Sequence, residues 1–515
     1  MPAPVDTLKH KKSDTWEAAI AFHRRGKLAE AEAQYWKLLL ERSDDDDLLI
    51  NLGSALSGQE KFSQAILCFR RAIAINPENW RSHGNLGNAF RRVDKLDRAQ
   101  ASYQHAIAID DSIAMLHYYL GDTLRRKEKL TRAASSLRKA LELQPDYIDA
   151  FIALSAIEET TGNHDQARKT LLEGMSLRPY YTEICPGKAL ARTLLFFGLE
   201  DCRFRLNENF NIKISGGHFL TTELLRRQKF TKNHYHITDE NLLSDISSLP
   251  PHDLIVNTIA CPDRERNSLE ILSRYLRENA HAPLINAPKQ VLQTTRNENY
   301  TRLHNMPGMT FPLTLRAKRL RLFQTIEKSG LSFPIILRRV GTQSAVSTQK
   351  IETSDAIADY LDTTEGDEFY AIEFIDCRFK EKYFRKLRLF CIDGKLYPAV
   401  CHIDAVWNVH GGNRKTLMKK NPWMQDEEKH FLENYTAYIG IENRRRLESL
   451  HAIIELDFYG IDFTLMEDNS ILIFELNAAM RHSFVHAETL PYLTPYLSKI
   501  SDAFEAMALR KMTAR

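Results

Sequence analysis

The N-terminal third of the chain repeats one pattern of small and large positions. Small residues recur at a 34-residue step, at Gly53, Gly87 and Gly121, and Ser155 is next in the same frame. Each is followed first by an alanine and then by a large apolar residue. The alanines are Ala65, Ala99, Ala133 and Ala167, and the large residues are Phe69, Tyr103, Leu137 and Leu171. We interpret each copy as a helical hairpin whose helices approach closely at the small positions, with the large residue filling the neighbouring hole.

This period is typical of tetratricopeptide repeats. Ala19, Ala31 and Tyr35 fit a first, less regular copy, so five repeats are predicted within residues 12–181. Prolines, which cannot continue a helix, end three of the second helices. They are Pro77, Pro145 and Pro179. The concave face of such a solenoid predicts a peptide or protein partner, and a rigid spacer or self-association surface is the alternative.

After the repeats, residues 190–290 alternate short apolar runs with helical stretches. The runs FNIKIS, HDLIVNTIA and APLINAP predict short buried strands, and SLEILSRYLREN predicts an amphipathic helix. This order indicates a small parallel α/β domain without a dinucleotide-binding glycine motif. Asn257 and Asn286 end two of the strands, either at a ligand site or as loop caps.

Cations and carboxylates enter apolar strands in residues 291–505. FPIILRRVG predicts a strand carrying Arg338, followed by the polar loop GTQSAVST and a second strand at QKIE. FYAIEFID predicts an apolar strand that ends in carboxylates. In FRKLRLFCIDGKLYPAV a hairpin turn falls at Asp393-Gly394, and Lys386 and Arg388 share one face while Arg385 takes the other. Two cations on one face of a strand predict an anion-binding surface.

The segment YGIDFTLMEDNSILIFELNAAM predicts two antiparallel strands with oxygen ligands on one face. Asp462 lies on the first strand, and Glu475 and Asn477 lie two residues apart on the second. Acidic side chains inside apolar strands are costly unless compensated. Three converging oxygen ligands are what Mg²⁺ requires.

The order of these parts resembles the ATP-grasp superfamily, especially its amino-acid-adding carboxylate-amine ligases. The likeness covers residues 283–485 and implies an α+β ATP-grasp domain preceded by an α/β domain, with ATP and Mg²⁺ as cofactors. By position, Arg338 corresponds to the phosphate-binding cation and Glu373, Phe374 and Ile375 to the segment that meets adenine. Further correspondences concern ribose, phosphate and metal. They are Asp376 near the ribose, Arg388 on the γ-phosphate and acyl phosphate, and Asp462, Glu475 and Asn477 on magnesium. On the same strand as Arg388, Lys386 is a candidate cofactor-binding residue and Arg385 a candidate catalytic residue.

The resemblance implies a ligase in which ATP phosphorylates a carboxylate and an amine displaces the phosphate. The expected small-molecule partner is that carboxylate or amine, and self-association into a homo-oligomer is common in the family. Three departures stand out: a single glycine in the loop, Arg338 in place of lysine, and AAMRHSF where many ligases have Pro-Gly. They leave open the alternative of a non-catalytic repeat scaffold with a degenerate ATP-grasp domain.

Other polar residues have two interpretations each. The segment AVWNVHGGNRK carries Trp407 and His410 where a substrate would enter, so His410 is a candidate acid, base or substrate contact, or a plain loop residue. His482 and His486 are substrate contacts or belong to a helix start. Arg444–Arg446 predict a solvated helix face, and Asp44–Asp47 a loop and helix start rather than a metal site.

Composition adds limits to this interpretation. Of 515 residues, 43% are hydrophobic and 27% charged, which is typical of a globular protein, and a net charge of +3 does not favour nucleic-acid binding. The seven cysteines form no C-x-x-C pair and are expected to be reduced. The N-terminus lacks the apolar core of a signal peptide and no apolar run reaches membrane length, so we expect a cytoplasmic protein without membrane contact.

Overall fold

The computed structural model describes residues 6–219, 221–226, 228–237, 249–279, 282–342, 347–409, 411–414 and 416–513, with backbone alone for 6–14, 411 and 413. Two compact units emerge. One covers the chain up to Arg178 together with Arg203–Ile214, and the other covers Pro179–Cys202 together with the chain from Ser215 onward. The segments 190–290 and 291–505, predicted as separate domains, therefore lie mostly within one unit.

The repeat region of the first unit is an all-helical array of five hairpins, as predicted. Its helices are α1 (Asp6–Arg24), α2 (Leu28–Glu41), α3 (Asp46–Gly58), α4 (Phe62–Ile75), α5 (Trp80–Arg92), α6 (Leu96–Ile109), α7 (Ala114–Arg126), α8 (Leu130–Leu143), α9 (Ile148–Thr160) and α10 (His164–Leu177). The small positions work as expected, since a Cβ on Gly53 would meet the ring of Phe69 at 2.5 Å and one on Gly87 would meet Tyr103 at 2.6 Å. Asp45 caps α3 by accepting a hydrogen bond from Leu48 N at 3.0 Å, so the acidic run is a helix start.

The strands that follow the repeats form two separate sheets. They are β1 (Tyr180–Glu183), β2 (Ala191–Gly198), β3 (Arg203–Leu206), β4 (Ile212–Ser215), β5 (Phe230–Ile237), β6 (Leu254–Asn257) and β7 (Leu284–Ile285). The five-stranded sheet has the order β1-β5-β2-β6-β7 and is parallel except at β1. Helix α11 (Arg266–Asn279) follows β6, so the predicted strand-helix-strand order from HDLIVN to APLIN is present.

The prediction of FNIKIS as a buried strand of this sheet was wrong. It forms β4, which pairs only with β3 and leaves Lys213 exposed and its neighbours half-buried. Alternation of exposed and half-buried side chains belongs to a strand with one solvent face. The hairpin belongs to the first unit, where Leu206 N donates to Thr160 Oγ1 at 3.0 Å at the end of α9.

Two buried histidines and one half-buried histidine cluster around Phe197 in the parallel sheet. The rings of His218, His234 and His236 lie 5.3–5.5 Å from that of Phe197. Burial lowers the pKa of His218 and of His236 to about 3. These rings are therefore neutral in the folded chain at pH 7.

Acid is expected to destabilise this sheet. In the unfolded chain His218 takes up a proton below about pH 6.5, whereas in the folded chain it does so only near pH 3. The neutral His218 ring therefore contributes its full stability above about pH 6.5, and this contribution is lost as the pH falls from 6.5 to 3. His218→Gln keeps an acceptor for Gly198 N, which lies 3.0 Å from His218 Nε2, but does not titrate. Between pH 7 and pH 5 the wild type should lose about 2 kcal/mol more than the variant. Hydrogen exchange of the β2 and β5 amides, corrected for intrinsic rates, measures this, and equal losses would contradict it.

The remaining strands form two further sheets. They are β8 (Met309–Thr310), β9 (Thr314–Lys318), β10 (Ile335–Arg339), β11 (Thr348–Ile351), β12 (Glu368–Glu373), β13 (Arg378–Phe379), β14 (Tyr383–Ile392), β15 (Lys395–Asp404), β16 (Phe458–Leu465) and β17 (Ile471–Asn477). A four-stranded antiparallel sheet has the order β11-β10-β12-β9. The other sheet runs β13-β14-β16-β17-β8, with β15 also paired to β14.

Helices surround these sheets. They are α12 (Pro288–Val291), α13 (Arg296–Leu303), α14 (Leu322–Ser329), α15 (Ala356–Thr363), α16 (Leu417–Lys420), α17 (Pro422–Glu433), α18 (Tyr435–Ile439), α19 (Ile441–Ser449), α20 (His451–Ile454) and α21 (Thr494–Thr513). Alternate residues of β10 and β12 pack with α14 and α15 in one core that includes Leu337 and Phe369. The opposite residues of β10 are thereby turned away from that core.

Candidate functional site

A cleft lies between the four-stranded sheet and the β13–β17 sheet. It holds about 910 Å³ of empty space including its open mouth. One part of the wall is apolar. Its residues are Ile336, Ile372, Phe374, Ile375, Leu472, Phe474, Trp407 and Val409. The other part is charged, with Arg296, Arg338, Lys386, Asp462 and Glu475.

The segment Glu373–Ile375 forms one edge of the apolar part, where the sequence predicted it. Glu373 is tied to Leu313, because its backbone N donates to the Leu313 carbonyl at 2.9 Å and its carboxylate accepts from Leu313 N at 3.0 Å. The Phe374 ring stands edge-on to Trp407 at 5.9 Å, and Lys350 Nζ lies 4.3 Å from its centre. These contacts hold the segment rigidly against the cleft.

The structure does not bring every predicted residue to the cleft. Asp376 is exposed and pairs with Arg378 at 3.1 Å, outside the lining residues. Arg385 points to the opposite face of β14, where it donates to Tyr438 Oη at 2.6 Å and lies over the Phe379 ring at 4.1 Å. His410 and residues 343–346 of the polar loop lie outside the described residues.

Arg338 enters the cleft from β10 without a carboxylate partner in the described part of the chain. Its Nε donates to Thr342 Oγ1 at 3.4 Å, and its Nη2 donates to the Thr342 carbonyl. Burial, and then the neighbouring Arg296, lower the pKa of Arg338 to about 10. The guanidinium groups of Arg338 and Arg296 both line the cleft, and two neighbouring cations favour an anionic ligand between them.

Arg296 was not predicted from the sequence. It is the first residue of α13, and its Nη2 lies 2.5 Å from Glu475 Oε1 while its Nη1 donates to the Phe474 carbonyl at 3.3 Å. The local sequence signal is only a helix start, because Thr295 caps the helix by accepting a hydrogen bond from Glu298 N. A helix start does not indicate where the arginine points.

The predicted anion surface on β14 binds Asp462. Arg388 Nε and Nη2 donate to the two oxygens of Asp462 at 2.6 and 2.8 Å, and Lys386 Nζ lies 3.5 Å away. The antiparallel register that places Arg388 opposite Asp462 also places Asp462 opposite Glu475. Burial raises the pKa of Asp462, but Arg388 and Lys386 outweigh it and hold that pKa below its usual value. The carboxylate is therefore ionised at neutral pH.

The third predicted metal ligand has a free oxygen. Asn477 Nδ2 donates to Glu475 Oε1 at 2.6 Å, while Asn477 Oδ1 is buried and has no hydrogen-bond partner among the described residues. Burial raises the pKa of Glu475, but the opposing effect of Arg296 and Arg338 is larger and holds that pKa below its usual value. The carboxylate is therefore ionised. Two carboxylates and one unpaired amide oxygen fit a hard cation. Within the described residues, no group of three His, Cys, Asp or Glu side chains suits a metal ion.

The other sequence candidates have structural roles. Asn257 Nδ2 donates to the Asn286 carbonyl at 2.9 Å, and Asn286 Nδ2 donates to the Phe458 carbonyl at 2.8 Å, so both are buried loop caps. His482 is buried with its ring 3.0 Å from Ser501 Oγ, which is neither a substrate contact nor a solvent-facing position. Arg444 and Arg446 pair with glutamates on α19, as a solvated helix face does.

Family models identify the repeats. A tetratricopeptide repeat model matches residues 47–79, and a second one matches 85–148 and 118–180. The N-terminal region is therefore an array of tetratricopeptide repeats, as predicted, followed by a region rich in β-sheet. No curated protein matches the chain.

Several solved structures are similar to the repeat region. A crystal structure of MamA is 21% identical and covers 31% of this chain and 93% of its own, with a TM-score of 0.30. MamA from Desulfovibrio magneticus RS-1 is 20% identical and covers 32% of this chain and 94% of its own, with a TM-score of 0.31. YrrB, described as a TPR protein with an unusual peptide-binding site, is 21% identical. The match covers 31% of this chain and 83% of YrrB, with a TM-score of 0.28.

None of the helices in the described part of the chain combines the length and the apolar character that a membrane crossing requires.

Proposed function

We propose that this protein is an ATP- and Mg²⁺-dependent ligase of the ATP-grasp type, in which the tetratricopeptide repeats recruit a peptide or protein. The observation that carries the proposal is the composition of the cleft. An apolar slot with a rigid edge leads directly to three cations and two ionised carboxylates, and the neighbouring Asn477 has an amide oxygen without a hydrogen-bond partner among the described residues. A nucleoside triphosphate with its metal has the same sequence of properties, from a flat base to a polyanion bound to a cation.

Each part of the cleft has a separate task in this proposal. The apolar slot bounded by Ile336 and Phe474 takes the base, beside the backbone of Glu373–Ile375. Arg338 binds the β- and γ-phosphates, which supply the counter-charge that no carboxylate gives it directly among the described residues. Asp462, Glu475 and Asn477 hold Mg²⁺, which neutralises the phosphates when bound.

The reaction follows from this positioning. A substrate carboxylate oxygen attacks the γ-phosphorus and the bond to the β–γ bridging oxygen breaks, releasing ADP. An amine nitrogen then attacks the acyl carbon, loses a proton and expels phosphate to form an amide. Arg388 and Lys386 stabilise the charge that develops on the transferred group, and no protein nucleophile is needed.

Recruitment by the repeats is the second part of the proposal. Tetratricopeptide arrays support protein or peptide interaction through their concave face. Attached to a ligase cleft, such an array would select a carboxylate or an amine that belongs to a larger partner. The peptide-binding site in the description of YrrB belongs to that protein. For this chain the proposed partner is a peptide or protein.

Titration calorimetry with ATP, ADP and AMP in the presence of Mg²⁺ tests the proposal. Wild type should bind ATP, and Arg338→Met should weaken ATP roughly 10- to 100-fold because a charge-assisted hydrogen bond to phosphate is lost. AMP, which lacks the β- and γ-phosphates, should be affected little.

The matched control is Arg339→Met on the same strand. Arg339 Nη1 donates to the Glu365 carbonyl at 3.5 Å, and Arg339 does not line the cleft, so ATP affinity should stay near that of wild type. Equal weakening of ATP and AMP by Arg338→Met would contradict the phosphate role. Absence of ATP binding by wild type would favour a repeat scaffold with a degenerate domain.

A further inference from the structure

His402 lies on the same face of the sheet as Lys386, which lines the cleft, and is itself buried and outside the lining residues. It stands on β15 directly opposite Lys386 of β14, so both side chains are on the same face. Arg388 is two residues from Lys386 and shares that face, and it is paired across β14 and β16 with Asp462. The strand order β15-β14-β16-β17 therefore aligns His402, the two cations, Asp462 and Glu475 along one surface.

A buried arginine determines which nitrogen of His402 carries its proton. Arg414 Nη1 lies 3.1 Å from His402 Nδ1. Arginine has donors only and stays charged, so the Nδ1 that faces it must be the unprotonated acceptor. The proton is consequently on Nε2. Within the described residues, the ring of His402 is hydrogen-bonded at Nδ1.

Arg414 is itself held in place. It is 1% exposed and forms an ion pair with Glu428, which is completely buried. Glu428 also accepts hydrogen bonds from Cys401 N at 2.8 Å and from Tyr492 Oη at 2.7 Å. With this support the ring of His402 cannot turn without breaking a buried network, so the direction of Nε2–H is built into the fold.

The surroundings also keep the ring neutral. Burial, and then the cations Arg414, Lys386 and Arg388, lower the pKa of His402 well below its usual value. A neutral ring with a proton on Nε2 is a hydrogen-bond donor and not a base. Next to two cations, such a donor suits an anionic oxygen.

We propose that His402 Nε2–H and Lys386 form a subsite for the carboxylate of the substrate. The proposal deepens the proposed function, on which it rests. The alternative oxyanion is the γ-phosphate, but the position in the sheet favours the carboxylate. The apolar slot uses β17 and the metal ligands use β16 and β17, whereas His402 is two strands away from Asp462 on the far side of the cations. A carboxylate there lies beside the phosphates without displacing them.

Trifluoroacetate is a suitable probe because it is a small carboxylate whose fluorine signal reports weak binding. The experiment measures its ¹⁹F line width against concentration with the full-length protein, with and without Mg²⁺ and ADP. Wild type is expected to bind it, and His402→Phe is expected to weaken binding at least about tenfold, since a hydrogen bond to a charged group is lost. His402→Gln, which keeps an N–H donor, should retain most of it.

His482→Phe is the matched control, because His482 is another buried histidine and its ring contacts Ser501 rather than the cleft. It should leave the line width of the probe unchanged. The affinities for Mg²⁺ with ATP and with ADP are measured on the same variants. The inference predicts that His402→Phe leaves both unchanged.

The outcomes separate the two proposals. Selective loss of ATP affinity relative to ADP in His402→Phe would assign Nε2–H to the γ-phosphate and overturn the carboxylate subsite. Absence of probe binding by wild type, or equal binding by wild type and His402→Phe, would also overturn it. Probe binding that depends on His402 in a protein that binds no nucleotide would support the subsite and refute the ATP-dependent ligase.

Discussion

Glu475→Gln is expected to reduce the magnesium-dependent part of ATP affinity by at least about 100-fold, because losing the charge of a metal ligand should cost more than the roughly 10- to 100-fold effect of changing a residue behind the ligands. The substitution keeps the shape of the side chain and removes its charge. Glu475 lies opposite Asp462 and accepts from Asn477, so the three predicted ligands lose their central member. Calorimetric titration of ATP with Mg²⁺ and again with EDTA measures the effect.

Glu368→Gln provides the control for Glu475. Both glutamates pair with an arginine at 2.5 Å, Glu368 with Arg316 and Glu475 with Arg296, but Glu368 does not line the cleft. Its replacement should leave the magnesium dependence intact. If Glu475→Gln bound ATP with the same magnesium dependence as wild type, the metal site would have to lie elsewhere.

Glu428→Ala is expected to lower the free energy of unfolding of the second unit by about 3–5 kcal/mol. The change leaves Arg414 as a buried cation without its partner and removes the acceptor of Cys401 N and Tyr492 Oη. Urea titration followed by hydrogen exchange of the peptides that cover β14 to β17 measures the loss in the relevant unit.

Asp426→Ala is the control on the same helix. Asp426 is 70% exposed and pairs with Lys429 at 3.0 Å, and exposed pairs of this kind contribute about 0–1 kcal/mol. The two variants should therefore differ by at least 2 kcal/mol. Similar small losses in both would mean that Arg414 finds water or another acceptor when Glu428 is removed.

The charged strands were predictable because their information is local. A period of two places Lys386 and Arg388 on one face, and a turn between two apolar runs brings Asp462 opposite Glu475. The same parity places Arg385 on the opposite face, yet it was included among the catalytic residues. Its contacts with Tyr438 and Phe379 show that the parity was the better guide.

The residues that the sequence did not reveal come from distant segments. Arg296 lies at the start of a polar helix, and His402 and Arg414 lie in and after a strand with no unusual pattern. Their importance depends on which partner faces them, which is decided by packing across more than ten residues of separation. Local periodicity contains no such information. The repeats are the opposite case, because each copy contacts mainly its neighbours and restates the same pattern.

The hairpin of β3 and β4 has a practical consequence for dissecting the protein. The chain leaves the first unit after Arg178, passes through Pro179–Cys202, returns for Arg203–Ile214 and leaves again. A single protease cut near residue 180 therefore does not sever every covalent link between the units. A fragment that ends there would also expose the end of α9, where Leu206 N binds Thr160 and Arg203 lies 3.4 Å from Glu159. The isolated repeat fragment would lack a piece of its own unit, and the β-rich fragment would carry that piece without the helix it contacts.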